Sequence, residues 1–210
     1  AITLAVVLIT LPASLIALNG ANFGLLNLLS RPQFWDALVA SINVAVISAV
    51  IVTLLAMVMA VAKAELTLPH RFGQAAGARY FRAIMDQGVM LYLVIPSVVL
   101  GTSAFILLRS RGDVFGYAFG VVILANTLMA LPFAYRLLEV RMTSLMARHD
   151  RLAAQLGISG MVRLRVLTLP ALRQDLGLIA GVSAAFSFGD LGVIALFANA
   201  DFRTLPWLLY

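Results

Sequence analysis

A chain of 210 residues that is 62% hydrophobic and 11% charged, with a mean hydropathy of +1.02, differs sharply from a soluble domain. Soluble domains run at about 45–50% apolar and about 25% charged residues, and a fold of this size has to wet its surface, so the composition excludes a soluble protein and points to lipid as the solvent. The absence of cysteine excludes a disulfide framework, a thiolate metal site and a Cys nucleophile, while the net charge of +6 fits basic loops that orient a membrane protein better than a nucleic-acid partner.

A spanning helix needs about 20 mainly apolar residues. Ala1 to Leu18 is the first such stretch; it has no initiating Met and no basic flank, so it reads as a span entered part-way rather than a signal peptide, and the chain as a fragment. Asn19-Gly20 and Arg31-Pro32 are turn signals before the second span, Trp35 to Ala62. That stretch is longer than a bilayer requires, which predicts tilt or a start along the surface. Lys63 to Arg82 follows with four basic residues. The third span is Val89 to Leu108, closed by the turn Arg111-Gly112-Asp113, and the fourth is Tyr117 to Leu138.

The segment from Glu139 to Arg173 is longer than a simple bundle needs, and seven basic residues fall between Arg136 and Arg173. Within Arg151–Ile158 the apolar positions 152, 153, 156 and 158 share one helical face. Gly157 predicts a break there, and Pro170 predicts the stop of a second short helix. Two short helices meeting at a glycine make a docking surface for another protein, or an ordinary interfacial helix. The fifth span is Leu176 to Ala198. Of 15 Lys and Arg residues, 11 lie in the two basic segments, which the positive-inside rule assigns to the cytoplasm. The expected architecture is all-α: a polytopic transmembrane helix bundle forming one domain over residues 1–210.

The Glu139–Arg173 loop resembles the signature loop of ABC-importer permeases, where Glu-Ala-Ala is followed by Gly, then by an apolar residue and Leu-Pro. Ala153, Gly157, Leu167, Leu169 and Pro170 stand at that spacing, whereas Arg151 and Leu152 replace the usual Glu and Ala. Ile95–Gly101 and Leu131–Ala134 are similar to other segments of the same family. The run Phe188-Gly189-Asp190-Leu191-Gly192 through Phe197, with Asp201-Phe202-Arg203-Thr204-Leu205-Pro206, is similar to the C-terminal half of the bacterial thiamine permeases, in which two homologous halves are fused. The resemblance runs from about Trp35 onward and implies a further span after Tyr210. It also implies an inner-membrane permease subunit working with a homologous half, cytoplasmic ATP-binding subunits and a periplasmic substrate-binding protein that delivers thiamine or its phosphates. Docking of the ATPase then falls to Arg151, Ala153, Ala154, Gly157, Ile158, Arg163, Leu167, Leu169 and Pro170, and contact with the periplasmic protein to Asp201 and Arg203. A ferric iron or polyamine importer would share the fold and the loop.

Asp190 is the one carboxylate well inside a predicted span. A charge near the bilayer centre costs roughly 3 kcal/mol on insertion scales, so such groups face a bundle interior or a watery path. Asp190, flanked by Gly189 and Gly192, either lines the translocation path, where a cationic substrate would meet it, or pairs with a neighbouring helix. Asn126 and Asn43 are read as amides joining helices, with Asn126 also a candidate for the path, and Gly101, Gly116 and Gly120 as points of close helix approach. His70 and His149 lack a second ligand at helical spacing, so no metal site or other cofactor is expected. Arg141, Arg148, Arg151, Arg163 and Arg165 suit lipid headgroups, topology or acidic residues of an ATPase, the last above all for Arg151 and Arg163. No Gly-x-x-x-x-Gly-Lys-[Ser/Thr] occurs, so ATP hydrolysis has to reside in another chain and this one is not an enzyme. With no His inside a span, an intramembrane protease is a poor reading. A channel or ion-coupled carrier, the remaining class, would show more charge within the spans.

Overall fold

The computed structural model describes residues 7, 10–11, 14–15, 29–67, 76–110, 112–158, 160–199 and 202–209. The expected first span, Ala1 to Leu18, therefore lies almost wholly outside the described residues. Elsewhere the chain is helical, with no strand among the described residues. Helix α1 covers Pro32–Thr67, α2 Ala76–Leu91, α3 Ser97–Arg109 and α4 Ala118–Gln155. A single turn, α5 (Gly160–Arg163), leads through a π-helical segment, Leu164–Thr168, into α6 (Leu169–Phe188). Two short helices follow, α7 (Ile194–Phe197) and α8 (Leu205–Leu209).

Helix α1 shows why lipid is the solvent. Its buried positions are small: Ala37, Ser41, Ala45, Ser48, Ala49, Ala56, Ala60 and Ala64, with Val44 and Val52 among them. Its exposed positions are large and branched, including Val39, Val46, Val50, Leu54 and Val58. Small residues recurring at steps of three and four let neighbouring backbones come close, and bulky aliphatics suit hydrocarbon. Helices α4 and α6 lie against that small stripe. At about 1.5 Å per residue, the 36 residues of α1 and 38 of α4 reach roughly 54 and 57 Å. Both exceed a hydrocarbon core of about 30 Å, so part of each helix extends beyond it. Among the described residues, Pro32–Thr67 and Ala118–Met146 are long and apolar enough to cross a membrane.

Two buried clusters hold the bundle. One joins Val52, Ala56 and Ala60 of α1 to Ala134, Leu138 and Met142 of α4 and Leu172 and Ile179 of α6. The other packs Val44 of α1 and Val122 and Ile123 of α4 against Val193, Ile194 and Phe197.

Several expectations need correction. The third predicted span is not one helix: α2 ends at Leu91, a 3-10 turn covers Tyr92–Val94, and α3 starts anew at Ser97. Pro96 is the cause, since it lacks an N–H and forces Ile95 to extended backbone (φ −88°, ψ 116°). The fifth span stops at Phe188 rather than Ala198. Pro170 does not end a short helix; it sits in the first turn of α6, where a missing N–H costs little, just after the widened π turn. Asn43 is exposed and does not join helices. A Cβ on Gly120 would meet nothing within 4 Å, and one on Gly116 would meet only the nearby Asp113, so neither marks a helix crossing. Gly101 does: a Cβ there would stand 3.1 Å from Leu196 Cδ1 and 3.4 Å from Val193 Cα.

Candidate functional site

The two interrupted spans meet at their breaks. Helix α6 ends where Gly189 caps it, and the Asp190 N–H reaches back to the Ser187 carbonyl at 3.4 Å. The chain then turns through Leu191, Gly192 and Val193 before α7 begins. Asp190 organises that turn itself: its Oδ1 accepts the Gly192 N–H at 3.0 Å, a local side-chain bond that replaces a lost helical one. Gly192 lies directly against the start of α3. A Cβ there would overlap Ser97 Oγ and come within 3.3 Å of both Ser97 Cβ and Val98 Cγ2. Only glycine fits this approach without displacing its neighbours. Irregular backbone inside a membrane protein is tolerated where it is buried in protein or lines a cavity, and here it lines one.

That cavity, of about 460 Å3, is walled by Leu93 from the break before α3, Asn126, Met129 and Phe133 from α4, and Phe186 and Asp190 from the end of α6. The Phe133 and Phe186 rings stand edge to face, centroids 6.1 Å apart at 82°. Asn126 is 4% exposed and donates from Nδ2 to Ser187 Oγ at 2.8 Å and to the Ser187 carbonyl at 3.5 Å. A carbonyl only accepts, so these bonds fix the amide with Oδ1 turned away, and Oδ1 is left buried with no partner. Asp190 Oδ2 is likewise buried without a hydrogen-bond partner among the described residues. The structure thus brings Asn126 to Asp190, whereas Gly189 and Gly192, the neighbours of Asp190 in the chain, are not among the residues lining this cavity. It adds Phe133, Phe186, Met129 and Ser187, which apolar periodicity could not separate from ordinary span residues.

At the basic end, α4 closes with a left-handed glycine. Gly157 has φ +66°, and the Ile158 N–H bonds to the Ala153 carbonyl at 2.8 Å, the backbone signature of a glycine-terminated helix. Gly160 repeats the left-handed conformation at φ +57° and reverses the chain into α5. Arg163 is buried at 5% exposure and donates to the Met146 carbonyl at 3.4 Å, bracing the turn from within. Ala153 is also buried, Ile158 and Leu167 are half-buried, and Leu169 and Pro170 are exposed. The side chains of Arg151 and Ala154 lie outside the described residues, as does Asp201. The most exposed apolar groups of the turn are ones the motif did not name: Leu156, Met161, Val162 and Val166.

Between these regions sits a charge cluster that spacing could not reveal. Lys63 Nζ is within 2.5 Å of Asp86 Oδ1 and also bonds Glu139 Oε1, tying α1, α2 and α4 together. Tyr135 donates its hydroxyl to Asp86 at 2.9 Å, and Arg136 pairs with Glu139 at 3.2 Å. Burial pushes the Asp86 carboxyl up, but the Lys63 and Tyr135 hydrogen bonds and the Lys63 and Arg136 charges outweigh it and hold Asp86 below its ordinary range. At the opposite end Arg203 lies over the Trp207 ring at 5.4 Å, bonds the Asn199 carbonyl at 3.2 Å and shares a second cavity with Asp36 and Asn43.

No protein-family profile matches the chain. Individual relatives do. The thiamine transport system permease protein ThiP of Escherichia coli K12 is 36% identical over 209 residues, covering all of this chain, and ThiP of Brucella suis is 36% identical over 208 residues, covering 99% of it. The chain spans 38% and 36% of the lengths of those two proteins, little more than a third, and the match falls in their C-terminal part. The molybdenum transport system permease protein ModB of Mycobacterium bovis is 30% identical over 199 residues, covering 87% of this chain and 70% of ModB. With helices able to cross a membrane, interrupted spans around an internal cavity, and this likeness along its length, the chain belongs to the permease subunits of ABC importers.

Proposed function

We propose that this chain forms, with a homologous half, the translocation path of an ATP-driven importer for thiamine or its phosphates in a bacterial inner membrane. The observation that carries the substrate is the 34–36% identity to thiamine permeases along 208–209 residues, essentially the whole chain. In this reading residues 1–210 are one multi-pass permease domain held by lipid, with the basic end in the cytoplasm. A pair of ATP-binding subunits docks on the segment about Glu139 to Arg173, chiefly on the apolar face that Leu156, Met161, Val162, Val166 and Leu169 expose there. The turn suits that task physically: Gly157 and Gly160 make it compact, while α4 and α6 run from it into the bundle as continuous rods. A push on it therefore moves both helices together. A periplasmic binding protein delivers cargo at the end bearing Asp201 and Arg203, and alternating access comes from rocking of one half against the other. This chain's part is conduction; ATP hydrolysis belongs to its partners.

The test is ATP hydrolysis by the full-length permease with its ATPase subunits in nanodiscs, titrated with binding protein loaded with thiamine, then with spermidine or ferric iron on their own binding proteins. Stimulation by thiamine-loaded protein alone is the expected result. Stimulation only by another cargo keeps the importer and refutes the substrate. Failure of any ATPase to co-purify refutes the importer.

A further inference from the structure

We propose that the cavity between the two broken spans is a binding site for a flat organic cation carrying an N–H donor, so that this permease selects its cargo within the membrane rather than passing whatever is delivered. The inference rests on the importer reading above and adds the chemistry by which the path recognises its load. Among the described residues, Asp190 is the one titratable side chain lining the cavity, and no basic group lines it. One carboxylate oxygen is already used by the Gly192 N–H, and the other is buried with no partner. Asn126 Oδ1 is a second buried acceptor without a donor, oriented by the bonds its amide nitrogen makes to Ser187. A buried acceptor left unmet is costly, and the two residues that carry these acceptors both line one apolar space, which suits a ligand that brings donors and positive charge.

The remaining walls fit such a ligand. Phe133 and Phe186 offer aromatic faces and edges, against which a delocalised cationic ring is attracted. Met129 and Leu93 supply polarisable and aliphatic surface. The volume of about 460 Å3 lies in the range of small-molecule sites, roughly 300–1,000 Å3. Thiamine has the required parts: a permanently charged thiazolium ring and an aminopyrimidine whose amino group donates. The thiazolium is placed beside Asp190 and the two phenylalanines, and the amino group at Asn126 Oδ1. The same carboxylate favours free thiamine over its phosphates.

Equilibrium binding to the full-length permease–ATPase complex in nanodiscs, without binding protein, tests this directly. The probes are radiolabelled thiamine and competing 3-deazathiamine, which keeps the shape and the amino group but has a neutral thiophene ring. The wild type is expected to prefer thiamine over the neutral analogue by roughly tenfold or more, Asp190→Asn to abolish that preference, and Asp190→Glu to restore much of it. Phe186→Leu is expected to weaken thiamine severalfold, and it guards against a variant of Asp190 that fails to assemble. Equal affinity for the two probes in the wild type, or an unchanged preference in assembled Asp190→Asn, overturns the site. Because binding is read without delivery protein or ATP turnover, either result stands apart from the hydrolysis titration that tests the importer.

Discussion

Replacing Lys63 by Met would break the contact that ties α1, α2 and α4 together. The ammonium is 11% exposed and serves Asp86, 30% exposed, and Glu139, 14% exposed. Removing one partner of a buried ion pair ordinarily costs about 3–5 kcal/mol, because the charge left behind is neither hydrated nor paired. Here neither carboxylate would be wholly abandoned: Asp86 keeps the Tyr135 hydroxyl at 2.9 Å and Glu139 keeps Arg136 at 3.2 Å. Those remaining bonds, and the partial hydration of Asp86, bring the expected loss down to about 2–3 kcal/mol. The assay is equilibrium unfolding of the full-length permease in mixed micelles of graded SDS content. Lys63→Met/Asp86→Asn/Glu139→Gln, which removes all three charges, is expected to recover to within about 1 kcal/mol of wild type. A single variant within about 0.5 kcal/mol of wild type, or a triple variant no better than the single, would refute the account of the cluster as an ionic clamp.

Four further outcomes follow from the geometry. Stability in the same assay should fall with pH below about 4: Asp86 holds its folded pKa under the unfolded carboxylate value of about 3.9, so its contribution is present above that value and is lost as acid protonates it. Asp86→Asn should flatten this part of the profile. Gly192→Ala should cost about 1–3 kcal/mol by crowding Ser97 and Val98, and Ser97→Gly in the same chain should restore much of it, whereas Gly120→Ala, with nothing within 4 Å, should not destabilise. Gly157→Ala, at φ +66°, should cost about 1 kcal/mol by strain and reduce ATPase co-purification through the displaced turn. Met161→Asp, on an exposed position of that turn, should leave folding intact and lower ATPase co-purification, since only a partner would bury it.

The basic segments, the glycine break at 157 and the family resemblance were legible because each rests on local order along the chain: apolar run length, charge near span ends, or residue spacing within one turn. Asp190 stood out for the same reason, as a lone charge in an apolar run. The end of α6 beside it was foreshadowed by Gly189 and Gly192, but its contact with Ser97 was not. Pro96 was visible in the sequence, yet an apolar run of sufficient length reads as one span whether or not a proline divides it, so the break between α2 and α3 needed the backbone itself.

What the sequence determined alone was the solvent, the helical class, the position of most of the apolar segments and the family, since these follow from composition and one-dimensional pattern. Only the tertiary structure decided which residues meet. Asp86 and Glu139 lie 23 and 76 positions from Lys63 and converge on it because α1, α2 and α4 pack side by side there. Asn126 and Asp190 share one cavity because α4 packs against the end of α6, where Asn126 bonds Ser187. In a chain whose helices are apolar on every side, lipid-facing and buried positions carry the same residue types, so hydrophobic periodicity is silent and the small-residue stripe of α1 reveals its inner face only once its neighbours are in place.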